Sequence, residues 1–91
     1  MRSVWVYTAD GERFTVYNAR CTHLGCGFFY DDAAKLFHCP CHEGQFDVQT
    51  GARLAGPPPR ALDKLQTKIE NGALYAAYQD FRPGAAESVP V

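Results

Sequence analysis

Two short stretches, Cys21-Thr22-His23-Leu24-Gly25-Cys26 and Cys39-Pro40-Cys41-His42, hold all four cysteines and two of the three histidines of the chain. Thiolates and imidazoles gathered this tightly suit a transition metal, whereas magnesium and calcium prefer oxygen. Read as ligands, the stretches run Cys21-x-His23, then fifteen residues, then Cys39-x-x-His42. Each offers one thiolate and one imidazole, the set required by a 2Fe-2S cluster that has two histidines on one iron. Structural zinc is the competing reading, because it is also four-coordinate and also served by Cys and His. Zinc sites commonly pair Cys with Cys and His with His at short spacings, a pattern that the alternation here does not match. Zinc would also leave Cys26 and Cys41 without a role.

Working outward, CTHLGC and CPCH, followed by Gly56-Pro57-Pro58-Pro59-Arg60, resemble the Rieske iron-sulfur proteins over roughly Val4 to Tyr78. The resemblance is to the disulfide-bearing kind found in cytochrome bc-type quinol-oxidising complexes. It implies one 2Fe-2S cluster, with Cys21 and Cys39 on one iron, His23 and His42 on the other, and a disulfide between Cys26 and Cys41. The residues agree, since four ligands saturate the cluster and leave two thiols in the same loops. Leu24, Gly25, Pro40, Gly44, Phe46, Pro57 and Pro58 are expected around the cluster. Leu24 would help form an apolar contact surface, and the proline run would cover one side and support both loops. A proline run is also a stiff connector that needs no function. By the same resemblance His42 is the catalytic contact, hydrogen-bonding quinol, and His23 is the second titrating imidazole. His38, next to Cys39, is read as a non-ligand, because successive side chains on a strand face opposite sides.

Ninety-one residues make one domain with a modest core, so a cluster and a disulfide matter for its stability. Nine basic and ten acidic residues leave a net charge of -1, which gives no long-range field favouring nucleic acid or an anionic membrane surface. No apolar run reaches the length of a membrane span, and Met1-Arg2 leads straight into a strand-like stretch rather than a signal peptide. A disulfide argues for an oxidising compartment. The expected location is therefore the extracytoplasmic, periplasmic face of a bacterial membrane, as part of a membrane complex. Proteins of the resembled kind carry an N-terminal membrane helix, so the chain is expected to be a soluble piece of a longer protein, touching the membrane through a missing anchor or partner subunits.

The rest of the chain reads as strands. Ser3 to Thr8 and Phe14 to Asn18 are β-branched and aromatic and form a hairpin across Ala9 to Glu12. Phe28 to Tyr30 and Leu36 to His38 flank the polar turn Asp31 to Lys35, and Gln45 to Val48 pairs with Ala52 to Leu54 across Gln49-Thr50-Gly51. Leu65 to Glu70 and Ala73 to Tyr78 meet at Asn71-Gly72, a strong two-residue hairpin signal. The fold class is all-β, the Rieske iron-sulfur fold by resemblance. Antiparallel base sheets from 1–20 and 61–80 would carry a smaller inserted cluster-binding subdomain at about 21–60, making a single domain over 1–80. Residues 81–91, rich in Ala, Pro and Gly, read as a tail or partner-contacting arm. An open sheet edge is expected before Val4 unless the tail covers it.

Two neutral imidazoles leave a cluster less negative than four thiolates do, which raises its potential. Their outer ring nitrogens couple proton release to oxidation, so the potential should fall with pH in the alkaline range. The resemblance thus implies a subunit that takes an electron and a proton from quinol beside a cytochrome b-type subunit and passes the electron to cytochrome c or an equivalent acceptor. It is not expected to be catalytic alone. High-potential relatives continue CPCH with Gly-Ser-x-Tyr, whose hydroxyls donate to cluster and cysteine sulfur. Here Glu43-Gly44-Gln45-Phe46 places Gly44 and Phe46 at those positions, which points to a low potential and to menaquinol. The alternative is a carrier subunit of another oxidoreductase, such as a molybdenum oxidase small subunit or an oxygenase ferredoxin. Cys26 and Cys41 speak against the oxygenase branch.

Overall fold

A computed structural model describes residues 3–41 and 43–91, and among these every regular element is a β-strand. β1 (Val4–Tyr7) and β2 (Thr15–Asn18) pair antiparallel, with Val4 opposite Asn18 and Tyr7 opposite Thr15. Asp10 closes their connection, its Oδ1 accepting the N–H groups of Glu12 and Arg13 at 2.8 Å each. β3 (Phe29–Asp31), β4 (Leu36–Cys39), β5 (Gly44–Phe46) and β6 (Arg53–Ala55) form a four-stranded antiparallel sheet in chain order. β7 (Gln66–Glu70) and β8 (Ala73–Ala77) make a ribbon across Asn71-Gly72, whose φ values of 52° and 78° are those of the tight hairpin turn.

The two ends of the chain meet at β2. Leu65 N–H donates to the Val16 carbonyl at 2.8 Å, Asn18 N–H donates to the Asp63 carbonyl at 2.9 Å, and Tyr17 bridges Lys64. The all-β class expected from the sequence is what forms, with the four-stranded sheet inserted between these ends. β1 has β2 as its partner strand among the described residues.

Alternation on β4 explains where the core sits. Phe37 and Cys39 point inward at 3% and 1% exposure, while Leu36 and His38 are only partly buried. Phe37 is ringed by Trp5, Tyr17, Phe28 and Tyr30, with centroids 5.2 to 6.2 Å away and rings tilted or edge-on, the geometry that aromatic quadrupoles favour. This aromatic core is continuous with Cys21, Cys39, Phe46 and Leu62.

Two elements differ from the sequence reading. The strand expected through Val48 stops at Phe46, because the Asp47 carboxylate accepts from the Thr50 N–H (2.7 Å), the Thr50 hydroxyl (2.8 Å) and the Gln49 N–H (3.1 Å). Residues 81–91, read as a tail, fold back on themselves. Arg82 N–H donates to the Val89 carbonyl at 2.8 Å, Val91 N–H donates to the Asp80 carbonyl at 3.0 Å, and Phe81 bridges Pro90. No helix among the described residues is long and apolar enough to cross a membrane.

Candidate metal centre

The first cysteine stretch leaves β2 and is closed at its base by an antiparallel bridge between Arg20 and Gly27. Within it, Cys21 N–H donates to the Cys26 carbonyl at 2.6 Å, and Gly25 N–H donates to the Cys21 carbonyl at 2.9 Å. Gly25 sits at φ 77°, which a side chain would resist. The second stretch is the turn between β4 and β5, bounded by the Cys39–Gly44 pair of the ladder. The second loop is therefore a hairpin end held by the β4–β5 ladder, while the first, between β2 and β3, is pinned by the single Arg20–Gly27 bridge and its internal hydrogen bonds.

A disulfide between Cys26 and Cys41 joins the two loops, with Cα atoms 6.5 Å apart and a sequence separation of 15. The other two cysteines, Cys21 and Cys39, are buried free thiols. Burial pushes the Cys21 thiol up to about 11, and its Cys39 neighbour adds to the rise. His23 is half-buried and Leu24 is 59% exposed at the rim, and both Pro40 and Cys41 are exposed. His42 lies outside the described residues, so the sequence alone speaks for its place between Cys41 and Glu43.

Of the proline run, Pro58 is the buried member and Pro57 is exposed. A Cβ on Gly44 would meet Pro58 Cγ at 2.9 Å, and one on Gly56 would meet the Glu43 carbonyl oxygen at 2.7 Å. The run thus lies directly on the exit of the second loop, and glycine is what lets it approach. Phe46 is fully buried in the core that includes Cys21 and Cys39. His38 turns away from Cys39, meets the Phe29 ring at a tilt of 56° with centroids 5.3 Å apart, and pairs through Nε2 with Glu43 Oε2 at 2.8 Å.

Sequence reading missed a buried charged group behind the first loop. Arg60 donates through Nε and Nη2 to both carboxylate oxygens of Asp63, at 2.9 and 2.8 Å, and through Nη1 to the Ala85 carbonyl at 2.8 Å. Ser88 Oγ donates to Asp63 Oδ1 at 2.7 Å, and the Thr22 hydroxyl donates to the Arg60 carbonyl at 2.9 Å. The one sequence signal was an Arg and an Asp three residues apart at the end of a proline run. Their partners in residues 85–88 were not inferable from spacing.

Two adjacent buried thiols on an apolar floor are costly as bare thiolates and suit a cation that deprotonates them. Together with an imidazole in the first loop and a His in the second, the donor set fits an iron-sulfur cluster. The family model of the Rieske [2Fe-2S] domain matches residues 2–68. The chain belongs to the Rieske family, whose cofactor is one 2Fe-2S cluster. It is 41% identical over 64 residues to the cytochrome b6-f complex iron-sulfur subunit of Chlorobaculum tepidum, covering 70% of this chain and 35% of that one. It is 38% identical over 85 residues to the cytochrome b6-f complex iron-sulfur subunit 1 of a Nostoc species, covering 88% of this chain and 47% of that one. The chain thus spans less than half the length of these curated relatives. Its fold matches the crystal structure of the cyanobacterial plasma membrane Rieske protein PetC3 from Synechocystis PCC 6803 with a TM-score of 0.70 at 30% identity, covering 82% of this chain and 76% of that one.

Proposed function

We propose that this chain is the electron-transfer domain of a quinol-oxidising complex, with Cys21 and Cys39 on one iron of the cluster and His23 and His42 on the other. The observation that carries the ligand set is the pairing of two free buried thiols, Cys21 and Cys39, beneath loops already joined through the other two cysteines. When bound, the cluster supplies one-electron chemistry at a potential raised by its two neutral imidazole ligands. The chain's own residues do the rest. Cys21, Cys39, Phe46 and Phe37 exclude water from the inner side, while exposed Leu24 offers an apolar rim on which a quinol ring can rest. Imidazoles of His23 and His42 each keep an outer ring nitrogen that can hold or release a proton, and His42 is the group proposed to take the quinol's hydrogen bond.

The partners that fit this role are a cytochrome b-type subunit that presents the quinol and a cytochrome c or equivalent that accepts the electron. The proposed location is the extracytoplasmic face of a membrane, which agrees with the disulfide. Menaquinol is the proposed substrate, because Gly44 and Phe46 carry no hydroxyl to donate to sulfur, and such donors stabilise the reduced cluster. Protein-film voltammetry across pH tests both parts. A potential toward the lower end of the range of roughly -150 to +300 mV for such centres, falling at alkaline pH, is expected. A value at the top of that range would overturn menaquinol, and a pH-independent value would overturn proton coupling.

A further inference from the structure

Residues 81–91 lie beyond the matched family segment and nevertheless pack on the back of the first cysteine loop. Gly84 N–H donates to the Thr22 carbonyl at 2.9 Å, and a Cβ on Gly84 would come within 3.4 Å of the His23 carbonyl oxygen. Thr22 is 1% exposed, and its hydroxyl is in turn held by the Arg60 carbonyl. The segment is anchored at its start, where Asn18 Nδ2 donates to the Gln79 carbonyl at 2.7 Å, and in its second half, where Ser88 reaches the Arg60–Asp63 pair. That pair is itself buried, with side chains 6% and 5% exposed, so it fixes the segment through an ionic contact little screened by solvent.

We propose that residues 81–91 act as a positioning clamp for the first ligand loop: through Gly84 and Ser88 they hold the Thr22–His23 backbone, and so set how firmly the cluster is kept and at what potential. This rests on the ligand role proposed for Cys21 and His23. A hydrogen bond to the Thr22 carbonyl removes freedom from the peptide that links the two ligands. Without it, the Thr22 carbonyl loses its hold, and the loop keeps the Cys21–Cys26 and Gly25–Cys21 hydrogen bonds, the Arg20–Gly27 bridge, the Thr22 hydroxyl bond to the Arg60 carbonyl and the disulfide.

The test uses the holoprotein, a truncation after Asp80, and the point variant Ser88→Ala, with Glu87→Ala as a control at an exposed neighbour. Three readouts are taken: the rate of cluster release to a chelator, the midpoint potential, and the hydrogen exchange of the Cys21 and Gly25 amides. The truncation is expected to speed release about tenfold, the factor that losing one or two hydrogen bonds gives. It should also move the potential and raise exchange at both amides, while the exchange of β3 to β6 stays as in the parent. Ser88→Ala should do the same more weakly, and Glu87→Ala should do nothing. If the truncated chain fails to accumulate, Ser88→Ala decides by itself. Release, potential and amide exchange all equal to the parent would overturn the clamp. A parent without a cluster spectrum would instead overturn the ligand reading, and the exchange data would still judge the clamp.

Discussion

Phe46 is buried in the same core cluster as Cys21 and Cys39, so a hydroxyl added to its ring is expected to find cysteine sulfur as its acceptor. If the new bond favours the reduced cluster by about 1 to 2 kcal/mol, then at about 59 mV per tenfold for one electron the potential of Phe46→Tyr rises by about 40 to 90 mV. Voltammetry of that variant beside the parent checks it, and an unchanged or lower potential would count against the assignment. Gly44→Ser is the less clean partner experiment. Its Cβ would meet Pro58 Cγ at 2.9 Å, so the proline loop must shift before any hydroxyl can act. The potential of the serine variant is therefore expected to reflect loop displacement as well as hydrogen bonding, and a pH-stable crystal form showing Pro58 moved would be its signature. The sequence showed that both hydroxyls were missing. It could not show that one of the two positions has no room for a side chain, because Pro58 lies fourteen residues further along the chain.

Among the elements, the two loops carry the most testable prediction. Closing a loop of this length by a disulfide is worth about 3 kcal/mol by chain entropy in the free chain. Cluster ligation ties the same two loops, so in the holoprotein the Cys26–Cys41 bond contributes less to stability and more to fixing loop geometry. Replacing both cysteines by serine should accordingly hasten cluster loss and shift the potential while lowering the thermal midpoint only modestly. A large fall in the midpoint with an unaltered potential would reverse that order. These loops were legible because Cys and His are rare residues whose spacing survives any fold. Strand ends were less so: Val48 has the right propensity, but the Asp47 carboxylate captures the local N–H groups and ends β5. Residues 81–91 were the least legible, because their contacts are backbone hydrogen bonds and two buried polar side chains, Arg60 and Asp63, whose pairing leaves no periodic trace.

Taken whole, the molecule joins its two chain ends at β2, and Tyr17 stands at that junction. The ring is fully buried, and its hydroxyl donates to the Val48 carbonyl at 3.0 Å. Burial first, then the nearby Asp47 and Tyr7, push its acidity to about 12 from the ordinary 10.0. Above pH 10 the unfolded chain gives up this proton while the folded chain keeps it. Unfolding then releases protons, and stability falls as pH rises from 10 to about 12. The loss should be roughly 2 to 3 kcal/mol. Denaturant midpoints measured across that window should drop in the parent and drop less in Tyr17→Phe, and parallel curves would remove Tyr17 as the cause. The base itself was readable from alternating β-branched and aromatic residues. Its closure through Asn18, Asp63 and Leu65 was not, since those bonds are made by backbone groups that every residue carries. What the whole fold is proposed to serve is a 2Fe-2S cluster with one imidazole from each loop on the same iron. Pulsed EPR of the reduced holoprotein reads this directly: two distinct imidazole nitrogen couplings are expected, one of them lost in His23→Cys, whereas a paramagnetic cluster with no nitrogen coupling, or a protein loaded with zinc and no iron, would contradict it.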